Sequence, residues 1–215
     1  AIGDPIGPAE EIGPLLADFA AYCRSHDWQF AFFQSRPERS GEYQRFGWRA
    51  LHIGEDPVLR TARFTLEGSA MGDVRRLCHK AEAAGIEVRH FVPGHDPFDP
   101  GQDDDGLLEQ MRAVSNAWVR AHHGAERGFC MSRFDPQRLR DVWLAVAWDP
   151  RTRRVEGFVT WIPVSTRDGW ALDLMRRRED SVPGTMELLV VRSVEAARER
   201  GDALLVDEKV EGGVV

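Results

Sequence analysis

The sequence predicts an α/β (α+β) chain of two halves, each built of strands and helices. Three observations carry this expectation. A turn with proline at its second position, Asp149-Pro150-Arg151-Thr152-Arg153, separates two long apolar runs, which signals a hairpin. The order helix, strands, helix, strand runs through residues 9–92 and recurs in outline through 107–206. Between these stretches, 93–106 turns to Pro, Gly and Asp, a composition that cannot bury a face. The expected organisation is a first half at 1–95, an acidic linker at 96–106 and a second half at 107–215.

In the first half, Ile12, Leu15, Leu16, Phe19 and Tyr22 recur at helical spacing, so a helix is expected to reach His26, with Pro14 in its first turn or breaking it. The aromatic run at 28–33 suits a buried strand, and 46–53 suits a second one beyond the polar turn around Ser40-Gly41. Phe64-Thr65-Leu66 is a short extended piece ending at Gly68. A helix follows, with Ser69 as candidate cap, Val74, Leu77, Cys78 and Ala81 as its apolar face, and Gly85 as its stop. Residues 86–92 read as a strand. In the second half, Leu108, Met111, Val114, Ser115 and Trp118 mark a helix over 107–122. Strands at 142–148 and 155–164 form the hairpin, and 170–175 adds a third. Residues 185–200 form a helix stopped by Gly201, and 203–206 opens a further strand. Trp118, Trp143, Trp148, Trp161 and Trp170 fall in apolar periodic runs and read as core rather than as a stacking platform.

A length of 215 residues allows a substantial core, and 42% hydrophobic with 29% charged residues describes an ordinary globular chain. No apolar run approaches the roughly 20 residues needed to span a bilayer, and Ala1-Ile2-Gly3-Asp4-Pro5 lacks the regions of a signal peptide, so a soluble chain is expected. Cys23, Cys78 and Cys130 are widely spaced with no C-x-x-C pair, which speaks against a disulfide framework or a zinc cluster and fits a reducing, cytoplasmic setting. A net charge of -7 argues against non-specific coating of nucleic acid. The charge is polarised, however: Asp96, Asp99, Asp103, Asp104 and Asp105 precede Arg133, Arg138, Arg140, Arg151, Arg153 and Arg154, then Arg176, Arg177 and Arg178. Each cluster taken alone reads first as a solvated loop. No cofactor or metal is expected, because His122-His123 is adjacent rather than spaced i, i+4, no H-E-x-x-H occurs, and no G-x-S-x-G elbow offers a serine nucleophile.

Seven stretches carry a family resemblance. They are Gly3-Asp4-Pro5-Ile6-Gly7, Gly54-Glu55-Asp56, Phe64-Thr65-Leu66-Glu67-Gly68, Phe129-Cys130-Met131-Ser132-Arg133-Phe134-Asp135, Gly157-Phe158-Val159, Asp173-Leu174-Met175-Arg176-Arg177 and Gly184-Thr185-Met186-Glu187-Leu188-Leu189. In order and spacing they resemble the lysylphosphatidylglycerol synthetase carboxy-terminal domain, also called the multiple peptide resistance factor family. The halves then resemble a tandem acetyltransferase-like (GNAT) arrangement, an analogy of fold and not of activity. The resemblance implies a bacterial aminoacyltransferase that moves an amino acid, lysine or alanine first among them, from aminoacyl-tRNA to a glycerol hydroxyl of phosphatidylglycerol. The setting it implies is the cytoplasmic face of the membrane, with antimicrobial peptide resistance as the consequence. Family members usually carry an amino-terminal membrane domain and continue with further strands and a basic, aromatic segment. A catalytic fragment or stand-alone relative with an incomplete second half is therefore expected. Three other readings compete: an acyl-CoA N-acyltransferase, whose R/Q-x-x-G-x-G/A loop Ser181-Val182-Pro183-Gly184-Thr185 does not supply; a peptidoglycan-branching aminoacyltransferase; and a non-catalytic remnant.

Transfer from one ester to another is nearly balanced in energy and calls for orientation, proton transfer and oxyanion stabilisation. Asp173 stands at the end of an apolar strand beside arginines. A strand unbroken to Arg176 puts Asp173 and Met175 on one face and Arg176 on the other. The two converge only if the strand ends at Met175 and turns. By resemblance Asp173 takes the amino group of the aminoacyl moiety or the attacking hydroxyl, and Arg176 takes a phosphate or the oxyanion; a structural ion pair at a strand end is the competing reading. Arg177 joins them as a substrate-binding residue. Glu187, in the first turn of its helix, either faces a substrate ammonium or complements the helix dipole. Arg153 and Arg154 either meet tRNA phosphates or lie in a solvated turn.

Overall fold

A computed structural model of the chain describes residues 1, 3–33, 35–52, 58–121, 133–164, 169–204 and 211–214. The elements are α1 (Ala9–Ser25), α2 (Ser40–Gln44), β1 (Ala50–His52), α3 (Gly72–Ala83), β2 (Glu87–Phe91), α4 (Leu107–Ala121), β3 (Trp143–Asp149), β4 (Arg154–Pro163), β5 (Gly169–Arg177), α5 (Thr185–Arg200), β6 (Ala203–Leu204) and β7 (Glu211–Val214). They form two compact units, Ala1–Pro57 with Asp207–Val215, and Val58–Val206.

In the first unit, α1 buries Ile12, Leu16, Ala20 and Cys23, one stripe of a 3.6-residue period, and it continues through Pro14, which lies inside it. Ile12 and Leu16 pack with Phe32 and Tyr43, and Phe19, Phe30 and Trp48 close over them. The strand expected at 28–33 does not form. Phe30 and Phe32, two residues apart, turn their rings into this cluster, with Phe30 at 5.2 Å from both Phe19 and Trp48. The backbone at Phe33 pairs with the chain start, Gly3 N–H donating to Phe33 O at 2.7 Å and Phe33 N–H to Ala1 O at 2.9 Å. Asp4 anchors that start, accepting from the Tyr43 hydroxyl at 2.6 Å and from the Arg36 amide at 3.1 Å. The turn expected at Ser40-Gly41 is instead the short helix α2, and the strand expected at 46–53 contracts to β1, which pairs antiparallel with β7.

The second unit holds a five-stranded mixed sheet in the order β2-β3-β4-β5-β6, antiparallel except for the parallel pair β5 and β6. On one face Trp143, Ala145, Val159 and Trp161 pack against Leu188, Leu189 and Val194 of α5 and Cys78 and Ala81 of α3. On the other, Leu144, Val146, Phe158 and Leu174 pack against Leu107, Met111 and Val114 of α4. Both faces are covered, so β3 and β4 read as continuous apolar runs and not as alternating ones. The hairpin between them forms, with Arg153 in the left-handed region at φ 52°.

Strand β2, placed by sequence in a first half, pairs with β3, so the boundary expected at 96–106 falls inside this unit. The acidic composition has a local cause. Asp103 caps α4 by accepting from the Leu107 and Leu108 amides at 2.7 and 2.8 Å, and Asp105 pairs with Arg89 and, at 2.6 Å, with Arg153. Cys23 and Cys78 are free and buried; Cys130 lies outside the described residues. Among the described residues no helix is long and apolar enough to cross a membrane.

Candidate functional site

Strand β5 runs alongside β4 with Pro163 opposite Trp170, Ile162 opposite Ala171 and Trp161 opposite Leu172; the next pair is Thr160 with Leu174. Asp173 is therefore the extra residue of a β-bulge. The bulge resets the alternation. Leu172 packs on the α5 side of the sheet, whereas Leu174 joins the core on the α4 side. Arg176 lies opposite Phe158, a residue of that same α4-side core. The strand does not end at Met175, as convergence was expected to require, but continues to Arg177. Convergence comes from the bulge instead.

Asp173 also turns to the α4 side. Its Oδ2 accepts from the Thr160 hydroxyl at 3.0 Å, and Thr160 Oγ1 in turn accepts from the Leu174 amide at 3.0 Å. Asp173 borders a cleft with Arg133, Phe134, Arg138, Leu139 and Thr160, of about 10 Å³ and so roughly the room of one water. Arg176 is 2% exposed, its guanidinium carbon 3.7 Å from the centre of the Trp118 ring, and Nη1 donates to Met175 O at 3.1 Å. Trp118, read by sequence as core, is thus the plate on which this arginine lies. Among the described residues no ion pair joins Asp173 to Arg176. At about 3.3 Å per strand residue their Cα atoms stand roughly 10 Å apart.

The other predicted site residues lie elsewhere. Arg177 is exposed opposite Gly157 and donates to Arg178 O and Ser181 Oγ, both at 3.3 Å. Glu187 is half-buried in the first turn of α5, on the opposite face of the sheet. Its charge adds to that of Glu82 in raising the Cys78 thiol, which burial above all pushes up to about 11. Arg153 is held by Asp105. Arg154 is committed to the buried carboxylate of Glu156 at 2.6 Å and to Asp180 at 3.0 Å, so its charge serves the fold. The structure brings Asp173 and Arg176 onto one face and leaves these four outside their surroundings.

Two glycines of the resembling stretches are packing devices, one beside the site and one on the other face of the sheet. A Cβ on Gly157 would stand 2.9 Å from Arg176 O, so only glycine lets β4 lie this close to the end of β5. Gly184, at φ 96°, precedes α5, and a Cβ there would meet Leu77 O at 2.0 Å. The α3 backbone thus packs directly against the start of α5. Of the other stretches, Gly54-Glu55-Asp56, Phe129-Cys130-Met131-Ser132 and the neighbouring His122-His123 lie outside the described residues. Thr160 was not visible as a site residue in sequence; its only signal is a hydroxyl within the apolar run from Phe158 to Ile162.

A family described as phosphatidylglycerol lysyltransferase, C-terminal, matches residues 1–205. The chain is 32% identical over 193 residues to the lysylphosphatidylglycerol biosynthesis bifunctional protein LysX of Gordonia bronchialis, a match covering 87% of this chain and 16% of that protein. It is 30% identical over 192 residues to the protein of the same name from Mycobacterium tuberculosis, covering 88% of this chain and 15% of that one. The chain therefore spans about a sixth of the length of these relatives. The structure of L-PGS from Bacillus licheniformis shares the fold, with a TM-score of 0.77 at 22% identity, covering 96% of this chain and 61% of that one.

Proposed function

This chain belongs to the phosphatidylglycerol lysyltransferase carboxy-terminal family, and on that premise we propose that it transfers lysine from lysyl-tRNA to a glycerol hydroxyl of phosphatidylglycerol at a membrane surface. The observation that carries the reading is the bulge at Asp173, which sets a carboxylate and a stacked guanidinium on one face of β5. In the reaction the glycerol hydroxyl attacks the ester carbonyl of the aminoacyl-tRNA, a new carbon–oxygen bond forms, the bond to the ribose oxygen breaks, and the hydroxyl proton passes to that departing oxygen. Asp173 accepts the hydrogen bond of the attacking hydroxyl and directs its lone pair. Arg133 and Arg138, both exposed beside that cleft, suit the lipid phosphate. Arg176, withdrawn from water, stabilises the oxyanion more strongly than an exposed cation would. Lysine is favoured over alanine because the relatives at 30% identity and above carry lysyl in their names.

The test incubates the purified chain with phosphatidylglycerol vesicles and either tRNA charged with labelled lysine or labelled acetyl-coenzyme A. Labelled lysine in the lipid fraction, with no acetyl transfer, is the expected result. Acetyl transfer without lysine transfer overturns it in favour of an acyl-CoA enzyme.

A further inference from the structure

The bulge that creates the site needs something to hold it, and one side chain stands where that support is required. An extra residue in a strand leaves a backbone amide out of the ladder. Here the Leu174 N–H, directly after Asp173, donates to the Thr160 side chain at 3.0 Å. A hydroxyl has a single hydrogen to give. Because Thr160 Oγ1 accepts from the amide, its own hydrogen is free to point at a carboxylate, and Asp173 Oδ2 lies 3.0 Å away to receive it. Thr160 is 2% exposed, on a strand packed on both faces, and its β-branched side chain has little rotamer freedom. The only hydrogen bond to the Asp173 carboxylate from any described residue is therefore fixed in direction by the backbone amide of the bulge itself.

From this geometry we infer that Thr160 is a positioning residue: its hydroxyl clamps the bulge at Leu174 and aims the Asp173 carboxylate, so that Asp173 and Arg176 work on one substrate. The inference rests on the transfer reading above and adds to it a residue that touches no substrate. Its chemistry requires a hydroxyl at this position. Serine keeps both hydrogen bonds, whereas valine, of nearly the same shape, keeps neither and takes an acceptor from a buried amide.

The experiment compares Thr160→Val, Thr160→Ser and Asp173→Asn in the lysyl transfer assay, together with hydrogen exchange at the Leu174 amide. Thr160→Val is expected to lower kcat by 10- to about 100-fold, the loss that a misplacement near 1 Å brings, with KM for phosphatidylglycerol within about twofold. Thr160→Ser restores most of the rate. The Leu174 amide exchanges at least about tenfold faster in Thr160→Val, while the β3–β4 ladder amides keep their protection. Should Thr160→Val not fold, Thr160→Ala, which leaves room for a water at the amide, is expected to lose at least about tenfold in kcat. Native kcat in a folded Thr160→Val or Thr160→Ala chain, with Asp173→Asn inactive, overturns the positioning role and leaves the site reading standing. Native kcat in Asp173→Asn overturns the site reading, and this inference with it.

Discussion

Arg176 holds its charge against an aromatic plate in a setting nearly closed to water. That geometry needs a flat, delocalised cation, because a guanidinium can lie over an indole and still direct N–H groups sideways, which an ammonium cannot. Arg176→Lys is therefore expected to lose about 100-fold in transfer rate although the charge is kept, and a steady-state assay beside Arg176→Ala checks it: the two variants should be similarly impaired. At this scale the sequence was partly legible. The segment 173–176 could be singled out, but strict alternation places its two charged residues on opposite faces. A bulge depends on which residues of a neighbouring strand pair with it, and no pattern within 170–177 contains that information. Arg154 was misleading for a related reason. An arginine in a turn looks available until the buried Glu156 two residues on is seen to hold it.

Among the elements, α4 and α5 position the two faces of the sheet, and each depends on one residue at its start. Asp103 satisfies two otherwise unpaired amides of α4, so Asp103→Ala is expected to lower stability by about 1–2 kcal/mol, measured by urea unfolding. Gly184→Ala combines a left-handed backbone with a collision against Leu77 O and is expected to cost upwards of about 2 kcal/mol, with a matching fall in Tm. The helices of residues 107–204 were readable because they keep a clean period over fifteen or more residues, and β3 and β4 because they are long apolar runs on either side of a turn. The elements of residues 28–53 were not. Phe30, Phe32 and Trp48 carry the same apolar signal whether they line a sheet or fill an aromatic cluster, and here they fill the cluster.

Across the whole molecule, pH reports on burial. Burial first, and the charge of Arg200 second, lower His90 to about 4 from an ordinary value of 6.5. Folded His90 thus stays neutral where the unfolded chain takes up a proton, so the stability is fully present above about pH 6.5 and is lost as pH falls toward 4, by up to about 3 kcal/mol. Unfolding free energies at pH 7.5, 5.5 and 4.5 should show this decline, and His90→Gln should flatten it. Asp105, lowered by its bond to Arg89, and Asp180, lowered by its bond to Arg178, add a separate loss only below the usual carboxylate range. The mixed architecture was legible in the order of elements, whereas the division into units was not. The Pro, Gly and Asp content of 96–106 looks like a linker, yet its aspartates cap α4 and pair with arginines within one unit. One bulged strand presents both charges, of Asp173 and Arg176, on one face of the sheet. The most direct measurement of their role is the rate of labelled lysine transfer from tRNA to phosphatidylglycerol in Asp173→Asn and Arg176→Ala, each with its melting curve. At least about 100-fold loss is expected in both, with melting within a few degrees of the native chain; undiminished transfer in both well-folded variants would mean that the bulged strand does not present these charges to the substrate.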